Sequence, residues 1–337
     1  MVKRLICSAT LILFAVIAGI TGFQAPASAA DPIKLSYANF PPAPTFPCVQ
    51  MERWKAEVEK RTNGKILVNT FPGGTLLEAK GMMDGIIAGQ ADIGNICMAY
   101  QPGRFMVTNA TSLPVGIKDA KKGSMALLKL YEKYQPEEFK DVVVLAMFTN
   151  TPGNIMSTKP VRNLADLKGM DLRSSGGAND ILKAWGANPV GMPMPATVEA
   201  LQKGTVKGLF SSLEVMKDFK FAEMCKYVTV TDTGIYPFAV IMNKAKYVAL
   251  PADVQKIFMD LKEEQSLWTG NYIDELIAEA NKYSKEEQKV EFISLSADEA
   301  AKWDALLAPI TDAWIKEAKE KGLPAEAIIA DIKAFLK

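Results

Sequence analysis

Apolar and polar positions alternate from Ile33 to Ala38, with Tyr37 inside the run, and this predicts a strand. Asn39-Phe40-Pro41-Pro42-Ala43-Pro44 cannot continue a regular element and reads as a loop. From Thr45 to Thr62, Phe46, Val49, Trp54 and Val58 recur at helical spacing, and Asn63-Gly64 supplies a left-handed stop. Lys65 to Phe71 predicts a second strand, and Pro72-Gly73-Gly74 a turn. Thr75, with Glu78 at the capping-box offset, predicts a helix that carries Leu76, Met82, Met83, Ile86 and Ile87 to Gly89. Asp92 to Met98 is apolar enough for a buried strand. The order β-α-β-α-β calls for a parallel sheet covered by helices.

Lys118 to Tyr134 predicts a helix and Asp141 to Phe148 an apolar strand. Asn150 to Lys159, rich in Pro, Gly and Asn, reads as a crossover between lobes. Asn163 to Leu167 starts a short helix, and a strand follows that ends on Arg173. Asn179 to Trp185 and Pro195 to Lys203 read as helices. Pro189 to Met194, Val206 to Phe210, Lys226 to Thr231 and Tyr236 to Met242 read as strands, the last leading back toward the first lobe. One long helix is expected from Val254 to Lys285, and two more over Ala297 to Lys321 and Ala325 to Leu336. The pattern describes an α/β clamp of two lobes with crossing strands and a long helix. Residues 31–150 with 239–280 form lobe I, and 151–238 with 281–337 form lobe II. Such a clamp holds a small molecule between its lobes.

The first thirty residues change the setting. Lys3 and Arg4 precede an apolar run, Leu11 to Ile20, too short to span a bilayer, and Ala27-Ser28-Ala29 and Ser28-Ala29-Ala30 offer small-residue cleavage sites. This reads as a cleaved secretory signal over 1–30 and an exported, periplasmic protein of about 307 residues. Without Lys3 and Arg4 the 39 basic and 38 acidic residues become 37 and 38, a net charge of −1. Nucleic acid and anionic membranes, which want a basic face, are therefore not expected partners. Cys48, Cys97 and Cys225 remain after the leader, an odd number without metal-site spacing, and are expected to be buried thiols. The chain has no histidine, which removes the Ser-His-Asp triad, the Cys-His pair and His-based zinc sites. No cofactor or metal site is expected. The carboxylate pairs Asp166/Asp171 and Glu263/Glu264 read as a cap and a solvated helix face, so the chain is expected to be a binder and not an enzyme.

The most informative stretch is Asp166-Leu167-Lys168-Gly169-Met170-Asp171-Leu172-Arg173, followed by Ser174-Ser175-Gly176-Gly177. Arg173 closes a short strand beside a flexible turn. Its planar fork can grip a carboxylate through two parallel hydrogen bonds, or it can pair with a neighbouring acid at the surface.

The chain resembles the solute-binding proteins of TRAP (tripartite ATP-independent periplasmic) transporters, of the dicarboxylate-binding-protein-like family. The resemblance runs through most of the mature protein. It is strongest in Phe71-Pro72-Gly73-Gly74-Thr75-Leu76, Ala88-Gly89-Gln90-Ala91-Asp92-Ile93-Gly94, Asp166 to Arg173, and Leu201-Gln202-Lys203-Gly204-Thr205-Val206-Lys207-Gly208. It implies a two-lobe clamp that captures an organic anion and delivers it to membrane permease subunits. It also implies that Arg173, the match to the motif arginine, forms the ion pair with the ligand carboxylate. Sugar-acid binders of the family carry a second arginine twenty positions earlier. Here that position is Gly153, with Asn154 beside it, and the later motif departs at Lys207 and Ser211.

Matching segments supply the other pocket candidates: Phe40, Cys97, Met98, Tyr100, Asn154, Ser175, Met192, Met194, Phe210, Ser211, Tyr236 and Phe238. Glu214 follows in the same segment as a further pocket candidate, which reads more readily as a satisfied structural acid than as a ligand contact. The set is aromatic, Met-rich and poor in charge around one arginine. It predicts a monocarboxylate with an apolar or aromatic body, such as a 2-oxo or 2-hydroxy acid, bound by a monomer. The same clamp would serve an ABC importer or a sensor subunit that presents ligand to a receptor.

Overall fold

The structure is a computed structural model and describes residues 31–101 and 103–337. The secretory-signal reading over 1–30 lies outside the described residues. Strands β1 (Ile33–Ala38), β2 (Ile66–Phe71), β3 (Ile93–Cys97), β4 (Val142–Thr149) and β10 (Pro237–Asn243) form one sheet in the order β2-β1-β3-β10-β4. Strands β5 (Gly153–Ser157), β6 (Asp171–Ser174), β7 (Asn188–Gly191), β8 (Gly208–Ser211), β9 (Tyr227–Thr233) and β11 (Glu291–Ser294) form the other, ordered β11-β9-β5-β8-β6-β7. The helices of six residues or more are α1 (Phe46–Arg61), α2 (Met82–Ile87), α3 (Ala120–Tyr134), α4 (Ala178–Ala184), α5 (Thr197–Gln202), α6 (Ala252–Lys282), α7 (Ala297–Ala305), α8 (Ala308–Glu320) and α9 (Ala325–Phe335).

The parallel start that the β-α-β-α-β pattern requires is present: β1 pairs in parallel with β2, Ile33 opposite Ile66, and with β3. The sheet then turns antiparallel, because β10 returns from the second lobe between β3 and β4. Central strands covered on both faces lose their alternation. Every residue of β3 and of β10 is buried. The backbone passes between the sheets from β4 to β5, from β9 to β10 and, through α6, from β10 to β11, and the first two crossings are tied together. Tyr236 N donates to Asn150 Oδ1 at 2.7 Å, and Gly153 N to Gly234 O at 2.8 Å.

Four expectations change. Residues 75–81 are not helical, and α2 starts at Met82. Gly73 N and Gly74 N donate to Pro41 O and Asn39 O, and Thr75 Oγ1 to Pro72 O, so this segment is held by the loop after β1 instead of by its own turns. The crossover at 150–159 contains a real strand, β5, paired by β8 on one side and β9 on the other. The helix expected over 297–321 is two, because Pro309 in the first turn of α8 lacks an N–H and crowds the carbonyl four residues back. Residues 325–335 lie with the first sheet: α9 packs on α3, and Tyr134 Oη donates to Asp331 Oδ2 at 2.6 Å. The sequence pattern had placed them with the second.

The long helix α6 runs unbroken for 31 residues, roughly 46 Å at 1.5 Å per residue. It passes α1, α3 and β4 and reaches the helical turn Val215–Asp218 on the second sheet's side. Its contact with α3 is backbone-close at Gly270. A Cβ there would lie 2.7 Å from Lys121 Cα and 3.0 Å from Ala120 O. One turn later, Asp274 accepts from Ala120 N (2.7 Å) and Lys121 N (2.9 Å), satisfying two free donors at the α3 N-terminus. Gly270→Ala is therefore expected to prise the two helices apart and to destabilise the fold by about 1–3 kcal/mol, read from urea unfolding. Unchanged stability would show that the helices can separate freely here.

Candidate functional site

The motif before Arg173 is scaffolding. Asn163 caps the helical turn Leu164–Leu167 by accepting from Asp166 N, and Asp166 in turn accepts from Arg162 N. Asp166 is thereby a structural cap. Gly169 adopts φ +70° and donates to Gly186 O, which reverses the backbone into β6. Leu167 and Leu172 are fully buried and anchor the turn and the strand. What this holds in place is a guanidinium only 1% exposed.

No acid among the described residues lies within salt-bridge reach of Arg173. The surface-pair reading of this residue is thus replaced by a buried cation. Its Nε and Nη2 both donate to Met192 O, at 3.0 and 2.8 Å, and Nη2 also reaches Tyr100 Oη at 3.5 Å. Nη1 has no partner. The Tyr236 ring lies 5.9 Å from the guanidinium carbon. A buried N–H of a charged group without an acceptor is costly, and an incoming oxyanion would relieve it.

Arg173 lines a cavity of about 440 Å³ of atom-free space, its open mouth included, built from both sheets. Eight residues expected in a site meet there: Phe40, Cys97, Tyr100, Arg173, Met194, Ser211, Tyr236 and Phe238. Tyr100, just beyond β3, accepts from Met194 N at 3.0 Å and so ties the first sheet's side to the second's. Phe40 stands edge-on to the Tyr100 ring. Phe238 stacks on Phe148 with centroids 5.2 Å apart, and Phe46 abuts both rings edge-on. Burial pushes the Cys97 thiol up to about 12, so it is a neutral wall atom. Cys48, Cys97 and Cys225 are all free and buried.

Five expected site residues, Met192 among them, lie elsewhere. Asn154 Oδ1 accepts from Thr231 N and Asp232 N, and its Nδ2 donates to Pro152 O, so its side chain braces β9. Met98 is core, its sulfur taking the Thr108 hydroxyl at 3.1 Å. Phe210 packs edge-on to Trp185 and fills the space beside Gly153, where a Cβ would meet its ring at 2.6 Å. Ser175 lines a neighbouring recess with Met192 and Asn179.

The pattern underrated the acids. Glu214 and Asp218 line the cavity with Asn150, Phe46 and Phe219. Glu214 is only half satisfied: Ser212 Oγ donates to its Oε1 at 2.5 Å, while Oε2 has no partner. Asp218 Oδ2 accepts from Phe46 N, the first residue of α1, at 3.2 Å. Burial drives both carboxyls up, Glu214 to about 7 and Asp218 to about 6. One signal could have found Glu214. It stands just past the carboxyl end of β8, as the Ser174-Ser175 turn stands past Arg173 on neighbouring β6, and open α/β sheets bind ligands outside those ends. Among the described residues no cluster of three or more Cys, Asp or Glu could hold a metal ion.

A family model described as bacterial extracellular solute-binding protein, family 7, matches residues 41–317. Among solved structures, a TRAP periplasmic solute-binding protein from Desulfovibrio salexigens is 51% identical, with a TM-score of 0.80, covering 90% of this chain and 95% of that one. It is an open complex with the C-terminus of a symmetry mate in its ligand-binding site. A marine-metagenome TRAP solute-binding protein specific for aromatic acid ligands, in complex with 3-hydroxybenzoate, is 30% identical, with a TM-score of 0.86 and coverage of 90% and 98%. The 2,3-diketo-L-gulonate-binding periplasmic protein of Escherichia coli is 27% identical over 321 residues, 93% of this chain and 95% of that protein.

The two cavity acids are expected to make stability fall as pH rises. A carboxyl raised in the folded state favours the protonated fold. Its contribution is full below the ordinary value, 4.5 for Glu214 and 3.8 for Asp218, and is lost as pH rises through about 7 and about 6. The lowered surface carboxylates, Glu264 and Asp331 among them, act in the opposite sense below that window. Stability to urea is expected to decline from about pH 5 to about pH 8. Glu214→Gln should flatten the decline, gaining on wild type by about 3 kcal/mol at the upper end. Parallel slopes in the two proteins would show that Glu214 ionises normally.

Proposed function

The chain belongs to the bacterial extracellular solute-binding proteins of family 7, the periplasmic binding components of TRAP transporters, and we propose that its ligand is a monocarboxylate with an apolar or aromatic body, such as a 2-oxo or 2-hydroxy acid. Family membership separates it from ABC binding proteins and from enzymes. The observation that carries the proposal is the unpartnered Nη1 of Arg173, a lone buried cation in a cavity walled by Phe40, Phe238, Tyr236 and Met194. A carboxylate can accept from Nη1 and stand over the adjacent Nη2, completing the fork that Met192 O holds from behind.

Two relatives support the reading. The marine protein takes 3-hydroxybenzoate, an aromatic acid. The Desulfovibrio protein holds the C-terminus of a symmetry mate in its site, and a polypeptide terminus of that kind ends in a carboxylate. The sugar acid of the E. coli relative fits this cavity less well. A polyhydroxylated body needs polar partners along its length, whereas Phe40, Phe46, Phe238 and Met194 wall this cavity. In this proposal the signal over 1–30 is removed on export, and the lobes divide at residues 150/151 and 238/239, with α9 moving with the first. Closure through Tyr100 to Met194 seals the ligand, and the closed protein delivers it to membrane permease subunits.

Small molecules released from the purified protein should include an aromatic or apolar monocarboxylic acid, identified by mass spectrometry. Calorimetry with that acid should show that Arg173→Lys, which keeps the charge and loses the fork, weakens binding at least tenfold, about 1.4 kcal/mol. Unchanged affinity in the variant, or tight binding of dicarboxylates with none of monocarboxylates, would overturn the proposal.

A further inference from the structure

The cavity holds two buried polar edges that do not meet. Arg173 offers Nη1 and Glu214 offers Oε2, each without a protein partner, and the two side chains are not within salt-bridge distance. Glu214 is 1% exposed, as buried as the arginine. Two such groups sharing one cavity would ordinarily pair. Here each is held in place by other contacts, Arg173 by Met192 O and Glu214 by a short relay.

The relay has a fixed direction. Tyr236 N can only donate, so Asn150 turns Oδ1 toward it, at 2.7 Å. The Asn150 amide nitrogen then faces Ser212 Oγ and donates to it at 2.8 Å. Ser212 has a single hydroxyl proton, and it goes to Glu214 Oε1 at 2.5 Å. Oε1 is thereby an acceptor, which leaves Oε2 as the atom that carries the proton when the carboxyl is neutral. All four residues are buried. The relay starts at the backbone of Tyr236, whose ring lies 5.9 Å from the Arg173 guanidinium carbon.

We propose that Glu214 Oε2 is a second recognition point, one that binds a hydroxyl or oxo oxygen on the body of the ligand, so that the protein selects oxygen-substituted monocarboxylates over their unsubstituted counterparts. This rests on the reading that Arg173 takes the carboxylate. A protonated Glu214 donates to an oxo or hydroxyl oxygen, and an ionised one accepts from a hydroxyl. Burial raises this carboxyl to about 7, which keeps the donor form accessible near neutrality. An unsubstituted acid would leave the buried Oε2 without a partner, and a site built to bond an oxygen discriminates strongly against a ligand that lacks it.

The test uses matched acids on the purified protein: mandelate against phenylacetate, phenylpyruvate against 3-phenylpropionate, and 3-hydroxybenzoate against benzoate. Calorimetry is expected to show, in at least one pair, tenfold or greater preference for the oxygenated member. Glu214→Met should lower affinity for that member at least tenfold more than for its partner. Glu214→Gln, which keeps a donor and an acceptor, should retain part of the preference, and it gives the same comparison if the Met variant fails to fold. Arg173→Lys should weaken both members of a pair alike. No preference in wild type, or equal losses for both members in the Glu214 variants, overturns the role of Glu214 while an Arg173→Lys loss leaves the carboxylate reading standing. Failure of all six acids to bind overturns both.

Discussion

A buried guanidinium without a counter-ion is the constraint around which this structure is arranged. Desolvating a cation costs several kcal/mol unless its hydrogen bonds are replaced. The fold replaces most of those of Arg173, through Met192 O and the Tyr100 hydroxyl, and leaves Nη1 open. The partial satisfaction matters. It holds the planar fork in one orientation, so an arriving carboxylate meets a donor that has little rotamer freedom left to lose. An arginine fully paired with a protein acid would have nothing to offer, and one in bulk water would bind weakly.

The same residue explains why the site spans both sheets. Arg173 and Met192 come from the second sheet's side, whereas Tyr100, Phe40 and Phe46 come from the first. Polar contacts cross between the halves, among them Met194 N to Tyr100 Oη and Phe46 N to Asp218 Oδ2. Each is a single hydrogen bond, worth about 1 kcal/mol net. Contacts this weak can break and re-form, as a clamp requires. In a clamp that opens, the crossings tied through Asn150 and Gly153, together with α6, would keep the halves joined.

Much of this was legible in the sequence because the signals are local. The β-α-β-α-β opening, the long helix and the turn that delivers Arg173 each follow from spacing within a dozen residues or so. What was not legible depends on partners far along the chain. Residues 75–81 carry a capping pattern, yet their neighbours bond to the loop after β1. β5 hides in a Pro/Gly/Asn-rich crossover because its pairing comes from β8 and β9. Asn154 was expected in the site as the neighbour of Gly153, but successive residues of a strand face opposite ways, and this one faces the β9 backbone. Glu214 depends on distant partners too. Its residue type favoured a satisfied acid, and only the position of Ser212, set by Asn150 and Tyr236, shows which oxygen is left bare.

Those distant partners also bear on ligand charge. The cavity sets one cation against two carboxyls, Glu214 and Asp218, both raised by burial. On the proposed reading, a monoanion seated on Arg173 would neutralise the site and leave the acids free to stay protonated or to accept a hydroxyl. A dianion would bring its second charge into a cavity that holds no second cation and two groups that already resist ionisation. Like charges in a desolvated space repel strongly, and the protein would have to bind protons to admit such a ligand. The position that could have held another arginine is Gly153, and Phe210 fills the space beside it. On the proposed reading, selection for a single carboxylate would come as much from what opposes the second charge as from what attracts the first.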